Sequence, residues 1–116
     1  MNASDRDISV LKHIIEYCDQ IEQTVQRFGD DFELFDQDVI YRNAVSLCIL
    51  QIGELVGILS DDFKQEHKDV PWMQIKKMRN IVAHRYGTVD TTIIWDVIKE
   101  DIPELSAYCS SLHVNE

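Results

Sequence analysis

Apolar residues at steps of three and four mark the first long element. Ile8, Leu11, Ile14, Ile15, Cys18, Ile21, Val25 and Phe28 fall on one side of a helix that this spacing predicts from about Asp5 to Phe28. Ser4 with Asp7 three residues on is a weak form of the N-terminal capping box, and Gly29 is a natural stop. Asp30 to Phe35 reads as a short acidic connection carrying two aromatic residues. A second helix is predicted from about Asp38 to Leu59, with Asp36 as its cap. Its apolar positions (Val39, Ile40, Ala44, Leu47, Cys48, Ile52, Leu55, Val56, Leu59) make a face wide enough for burial on more than one side. Gly53 and Gly57 each cost about 1 kcal/mol of helix propensity relative to Ala. They leave a notch in which another helix, of this chain or of a second subunit, can approach closely.

Ser60-Asp61-Asp62 opens a short helical turn through His67. Val70-Pro71-Trp72 begins the third long helix, with Pro at the first helical position, where its missing N–H is no loss. That helix runs to around His84–Tyr86, and Gly87 ends it. Asp90 caps the last helix, whose inner face is Ile93, Ile94, Val97, Ile98, Ile102, Leu105, Tyr108, Cys109 and Leu112. Pro103 interrupts that helix and is expected to kink or split it near Asp101–Ile102. Residues from about His113 are expected to fray. Four main helices with short links and no strand pattern predict an all-α bundle.

Composition agrees with this picture. With 116 residues, 45% of them hydrophobic, and only four Gly and two Pro, the chain suits one helix-rich domain. The amino terminus is polar and acidic, unlike a signal peptide. The apolar streak from Val45 to Leu59 is broken by Ser46, Gln51 and Glu54, so no bilayer span is expected and the protein should be soluble and cytoplasmic. Cys18, Cys48 and Cys109 are widely spaced and read as reduced core thiols, in preference to a zinc site or a nucleophile. Asp62, Glu66 and His67 could be drawn as metal ligands, but a solvated face is the better reading.

Charge changes the picture more. The net charge is −10, which discourages binding to long nucleic acid. Yet Lys76, Lys77, Arg79 and Arg85 lie between Met73 and Val89 with no acid among them, one basic island on an acidic body. Inside it, Arg79-Asn80-Ile81-Val82-Ala83-His84-Arg85-Tyr86 collects chemistry suited to phosphodiesters. Arg offers a planar fork of donors for phosphate oxygens, and His can take and return a proton near neutral pH. RNA supplies its own nucleophile, the ribose 2′-OH. Tyr86 can bond a phosphate or stack on a base, Asn80 can orient either group, and Lys76, Lys77 and Arg85 attract backbone without regard to sequence. The plain alternative is that Arg and His near a helix end merely satisfy terminal carbonyls. Trp72 likewise reads as a hydrophobic anchor before a base-stacking platform.

Geometry constrains the chemical reading. At about 100° per residue, Ile75, Met78 and Val82 form the core stripe, and Arg79 and Tyr86 stack on one side. His84 falls about 140° from Arg79. One regular helix therefore cannot aim all three at a single small group. Either the helix unwinds near His84 or a second copy completes the site.

Arg79, His84 and Tyr86 reproduce the R-x-x-x-x-H-x-Y motif of the HEPN superfamily. On these residues the chain resembles its HepT-like branch of small prokaryotic proteins. The likeness extends to Val70-Pro71-Trp72, Met78-Arg79-Asn80, Tyr86 through Asp90, Trp95 and Asp101-Ile102-Pro103-Glu104-Leu105, and to Arg42-Asn43 and Ile52-Gly53-Glu54 in the second helix. The resemblance implies a four- to five-helix up-and-down bundle that forms homodimers, with both motifs lining one cleft. It implies a metal-independent endoribonuclease, needing no cofactor, that is the toxin of a toxin–antitoxin pair, with Arg79 and His84 catalytic. It also implies a partner nucleotidyltransferase of the MntA type that adds AMP to Tyr86. The acidic body motivates two further readings: a non-catalytic module that docks a nucleotide or the nucleotidyltransferase, and a purely structural dimer.

Overall fold

The computed structural model describes residues 5–85 and 90–114. The first apolar stripe folds as α1 (Asp5–Phe28), with Val10, Leu11, Ile14, Cys18, Ile21 and Val25 buried along one side. Gly29, at φ 115°, donates its N–H to the Val25 carbonyl at 2.8 Å and closes the helix in the left-handed conformation expected of a terminal glycine. Ser4 lies outside the described residues. Asp7 is buried and reaches across the fold, accepting from the Ser60 N–H at 2.9 Å and the Ser60 hydroxyl at 2.8 Å.

Two boundaries differ from expectation. The acidic connection is itself a helix, α2 (Phe32–Gln37), because Asp31 accepts from the Glu33 and Leu34 N–H groups and Phe35 is fully buried. Six residues are too few for a periodic signal. The next helix, α3 (Val39–Ile58), is capped by Asp38 and not by Asp36. The Asp38 carboxylate accepts from the Ile40 N–H at 2.9 Å, whereas that of Asp36 accepts from the Thr91 hydroxyl at 2.6 Å. Both acids suit a cap, and tertiary contact decides between them.

The short α4 (Asp61–Glu66) is capped by Ser60 as expected, and α5 (Trp72–Arg85) begins one residue after Pro71. The Pro71 carbonyl accepts from the Ile75 N–H at 3.2 Å. Asp90 caps α6 (Thr91–Asp96), again as expected. A π-helical turn over Val97–Asp101 then leads into α7 (Ile102–Val114). Here Ile102 donates to the carbonyl of Val97, five residues back. Pro103 has no N–H for the Lys99 carbonyl and its ring would press on it, so the chain widens by one residue ahead of the proline. The expected kink takes this form.

All the described elements are helical, so the bundle is all-α. α3 is the central element, packed by α1 on one side and α5 on the other, and α7 covers α1. An aromatic cluster locks the α2 end, with Phe35 5.1 Å from Tyr41 and 5.3 Å from Trp95 between ring centroids. The Tyr41 hydroxyl donates to the Gly29 carbonyl at 3.0 Å, tying that cluster to the end of α1. Among the described helices Val39–Ile58 is long and apolar enough to cross a bilayer, by length and composition only. Its flanks are instead covered by α1 and α5, as in a core helix.

Candidate active site

Site geometry begins with a missing side chain. A Cβ on Gly53 would overlap Cβ and Cγ of Arg79, so only glycine at 53 lets α5 lie this close to α3. The notch expected from Gly53 and Gly57 is thus used within the chain. At Gly57 an added Cβ would only touch the ammonium of Lys76, at an ordinary contact distance of 3.6 Å. Arg79 and Lys76, about one turn apart, are both laid across α3 at glycines.

The Arg79 side chain is 29% exposed. Its Nη2 pairs with Oε1 of Glu54, and its Nη1 donates to Oδ1 of Asn80 at 3.0 Å. Its Nε is buried, with no hydrogen-bond partner among the described residues. The guanidinium is therefore anchored by its stem, steered by a carboxylate on α3 and an amide on its own helix, and left with donor capacity in reserve. Glu54 is the functional neighbour that residue chemistry alone did not single out. Its signal is its position: the one acid in the run from Val45 to Leu59, beside the glycine notch.

Lys76, Lys77, Asn80 and His84 are exposed, and on a regular helix they span about 100° of one face. α5 stays helical through Arg85, so it does not unwind at His84. Of the two ways to unite Arg79 with His84, local unwinding is removed. The side chain of Arg85, and Tyr86 and Gly87 entirely, lie outside the described residues. Val82 is buried, with Ile75 and Met78 packed half-covered on the core, as the helical wheel required.

The residues read as structural are so placed. Trp72 is buried, with its indole N–H donating to the His67 carbonyl at 3.0 Å. The His67 ring lies 4.5 Å from that of Phe63, a packing role. All three cysteines are buried, and loss of solvation pushes the thiols of Cys18 and Cys109 up to about 12 and raises that of Cys48. These are not nucleophiles at neutral pH.

The flanks of α5 differ in chemistry. Between α5 and α7 lies a pocket of about 140 Å³ floored by Ile49, Ile52 and Ile75 and rimmed by Asp69, Asp101 and Glu104. Burial, then Glu104 and Asp96, raises the Asp101 carboxyl above its ordinary value. This acid-rimmed groove holds none of the candidate site residues and would repel phosphate.

The sequence model of the Ribonuclease HepT-like family matches residues 14–112. The chain belongs to the HepT-like ribonuclease family. It is 37% identical over 95 residues to a Caldanaerobacter subterraneus protein named "putative RNase", covering 82% of this chain and 83% of that one. With the Thermococcus cleftensis protein named "probable ribonuclease HepT" it shares 34% over 105 residues, 90% of this chain and 92% of the other. In Methanocaldococcus jannaschii a protein named "gamma-glutamylcyclotransferase and putative RNase" is 35% identical over 104 residues, 86% of this chain but 45% of its own length. No solved structure matches the chain. HepT-like membership agrees with the all-α bundle and with the enzyme class expected from the motif, a ribonuclease.

Proposed function

We propose that this HepT-like chain is the endoribonuclease toxin of a toxin–antitoxin pair, cutting RNA in a cleft formed by two copies. The observation that carries the reading is Arg79, propped on Gly53 between Glu54 and Asn80, on a helix that stays regular past His84. Because one helix turns His84 away from Arg79, the pair acting on one phosphate comes from opposite chains. An unpartnered stripe supports a second copy. Ile40, Leu47 and Ile58, 64%, 57% and 42% exposed, fall within about 20° of one another on α3, beside Glu54.

In this mechanism the ribose 2′-oxygen forms a bond to phosphorus and the bond from phosphorus to the 5′-oxygen breaks. The products are a 2′,3′-cyclic phosphate and a 5′-hydroxyl. His84 of one chain takes the 2′-OH proton and, as imidazolium, returns it to the departing 5′-oxygen. Arg79 binds the phosphate oxygens, most strongly as charge builds on them. Lys76, Lys77 and Arg85 draw in the backbone and Asn80 holds the guanidinium. RNA enters by releasing Arg79 from Glu54, an exchange that a half-exposed ion pair makes inexpensive.

Control falls on Tyr86, next to the end of α5. An MntA-like nucleotidyltransferase adding AMP there would put phosphate charge and bulk into a cleft built for an anion, expelling RNA. The toxin and its partner are cytoplasmic in this reading. Total RNA incubated in EDTA with wild type, Arg79→Ala and His84→Ala tests the proposal. Wild type should cleave and each variant should lose at least about 100-fold, the scale of a lost acid–base group. RNA left intact by all three, or cut equally by all three, overturns it.

A further inference from the structure

A second basic surface adjoins the site and has no role in the motif. Lys64 and Lys68, from α4 and the link after it, join Lys76 around an open cleft of about 650 Å³ at the Trp72–Met73 start of α5. Among the described residues Asp61 is the one acid on its lining, so three ammonium groups face one carboxylate there. Met73, 84% exposed, stands at the mouth, and Trp72 forms the wall. Elsewhere this chain is strongly acidic, with a net charge of −10. Three lysines converging on one concave surface are therefore a local reversal of sign.

Position gives the reversal its meaning. Met73, Lys76, Lys77, Asn80 and His84 lie on one exposed face of α5, spanning about 16 Å of axis at 1.5 Å per residue. Lys76 belongs both to that face and to the cleft. The basic surface is thus continuous from His84 down α5 into the Lys64–Lys68 cleft. On the opposite flank of α5 the groove rimmed by Asp69, Asp101 and Glu104 repels anions, so the protein's own field steers a polyanion to the lysine side.

We propose that the cleft between α4 and the start of α5 is a subsite for the phosphates of single-stranded RNA away from the cut. Lys64, Lys68 and Lys76 contact the backbone there, and exposed Met73 offers an apolar surface to an unstacked base. The subsite rests on the ribonuclease reading and deepens it. It reads no sequence, because lysines on phosphates position a strand without identifying its bases. It selects for length and single-strandedness: a short oligonucleotide reaches the His84 end alone, and a longer one fills both.

The test uses the full chain carrying His84→Ala, so that bound RNA survives, and fluorescent oligoribonucleotides of increasing length over a salt series. Each phosphate contact on a single strand adds about 0.7 to the slope of log affinity against log salt. Adding Lys64→Gln and Lys68→Gln should therefore lower that slope by about 1.4 on long oligonucleotides. Raising salt from about 50 to 200 mM would then weaken the variant about sevenfold less than its parent. On the shortest oligonucleotides the two proteins should agree. The control changes Lys12 and Arg27, exposed on α1, to Gln, which removes equal charge away from the cleft and should leave the slope at the parent's value. A parent that binds RNA while the cleft variant keeps the same slope overturns the subsite alone. An equal drop from the α1 control reduces the effect to net charge and overturns it too. A parent that binds no RNA at any salt overturns both the subsite and the ribonuclease reading.

Discussion

α1 and α5 both flank α3, and they are held by different means. α1 buries six apolar side chains along its length and continues the same packing onto α7. α5 buries only Trp72 and Val82 fully, leaves Ile75 and Met78 half-covered, and rests on α3 through the stem of Arg79 over Gly53. Beyond it lies an open groove where α1 has a neighbour. The contrast separates two tasks. Apolar area on α1 supplies stability; α5 surrenders such area to present arginine, lysine and histidine at a surface. A helix seated on one side only can also exchange its ion pair for a substrate without disturbing the core.

Core truncation is the strongest way to break this comparison. Ile14→Ala, at a fully buried position on α1, should cost about 2–5 kcal/mol in a urea unfolding curve. Ile75→Ala on α5 should cost well under half as much while lowering RNA cleavage by more than its stability loss explains. Equal losses at the two sites would erase the distinction.

Gly53→Ala tests the seat itself. The added methyl favours the helix by up to about 1 kcal/mol, but it meets the first two carbons of the Arg79 side chain, which cannot swing aside as a flexible tip would. Overpacking of about 1–3 kcal/mol should win. Cleavage should fall at least about tenfold as Arg79 is displaced, with α1 unfolding cooperatively as before. Gly57→Ala should be milder, because its nearest contact is the mobile ammonium of Lys76.

The smallest effect near neutrality concerns pH. Burial holds the Cys18 and Cys109 thiols and the Tyr41 phenol up at about 12, with the acid Asp30 adding to Tyr41. In the unfolded chain these groups ionise at about 9 for thiols and 10 for the phenol. From about pH 9 upward the unfolded state thus releases protons that the folded state keeps, and stability falls as pH rises toward 12. The Tm should be flat with respect to these groups below about pH 8 and decline above 9. Cys109→Ala should shift the whole curve down and flatten its alkaline limb. Since α5 carries no cysteine, Lys77→Gln should leave that limb unaltered.

Much of this organisation is legible in the residues. The stripe of α1, the terminal Gly29, the caps Ser60 and Asp90 and the glycine notch of α3 each follow from one local rule, and local rules suffice where one contact settles an outcome. α2 is too short to show a period. Asp36 and Asp38 compete as caps on equal terms until Thr91 engages one of them. At Pro103 the chemistry predicts a disturbance, and the structure gives its form, a π turn over Val97–Asp101. The site divides in the same way. Arg79, Asn80 and His84 stand out by type and spacing, whereas Glu54 gains its role from an approach between two helices that is invisible in either alone. Lys64 and Lys68 are scattered among acids in sequence, and only the fold gathers them.

The central claim is that Arg79 and His84 act across two copies of the chain, and mixing inactive variants tests it most directly. Arg79→Ala and His84→Ala would be purified apart, unfolded, combined in equal amounts and refolded, and RNA cleavage measured in EDTA. The mixed dimer keeps one intact arginine and one intact histidine on opposite chains. The account predicts that the mixture regains a substantial fraction of wild-type cleavage that neither variant shows alone. A mixture as inactive as its components, while wild type carried through the same refolding is active, would contradict it.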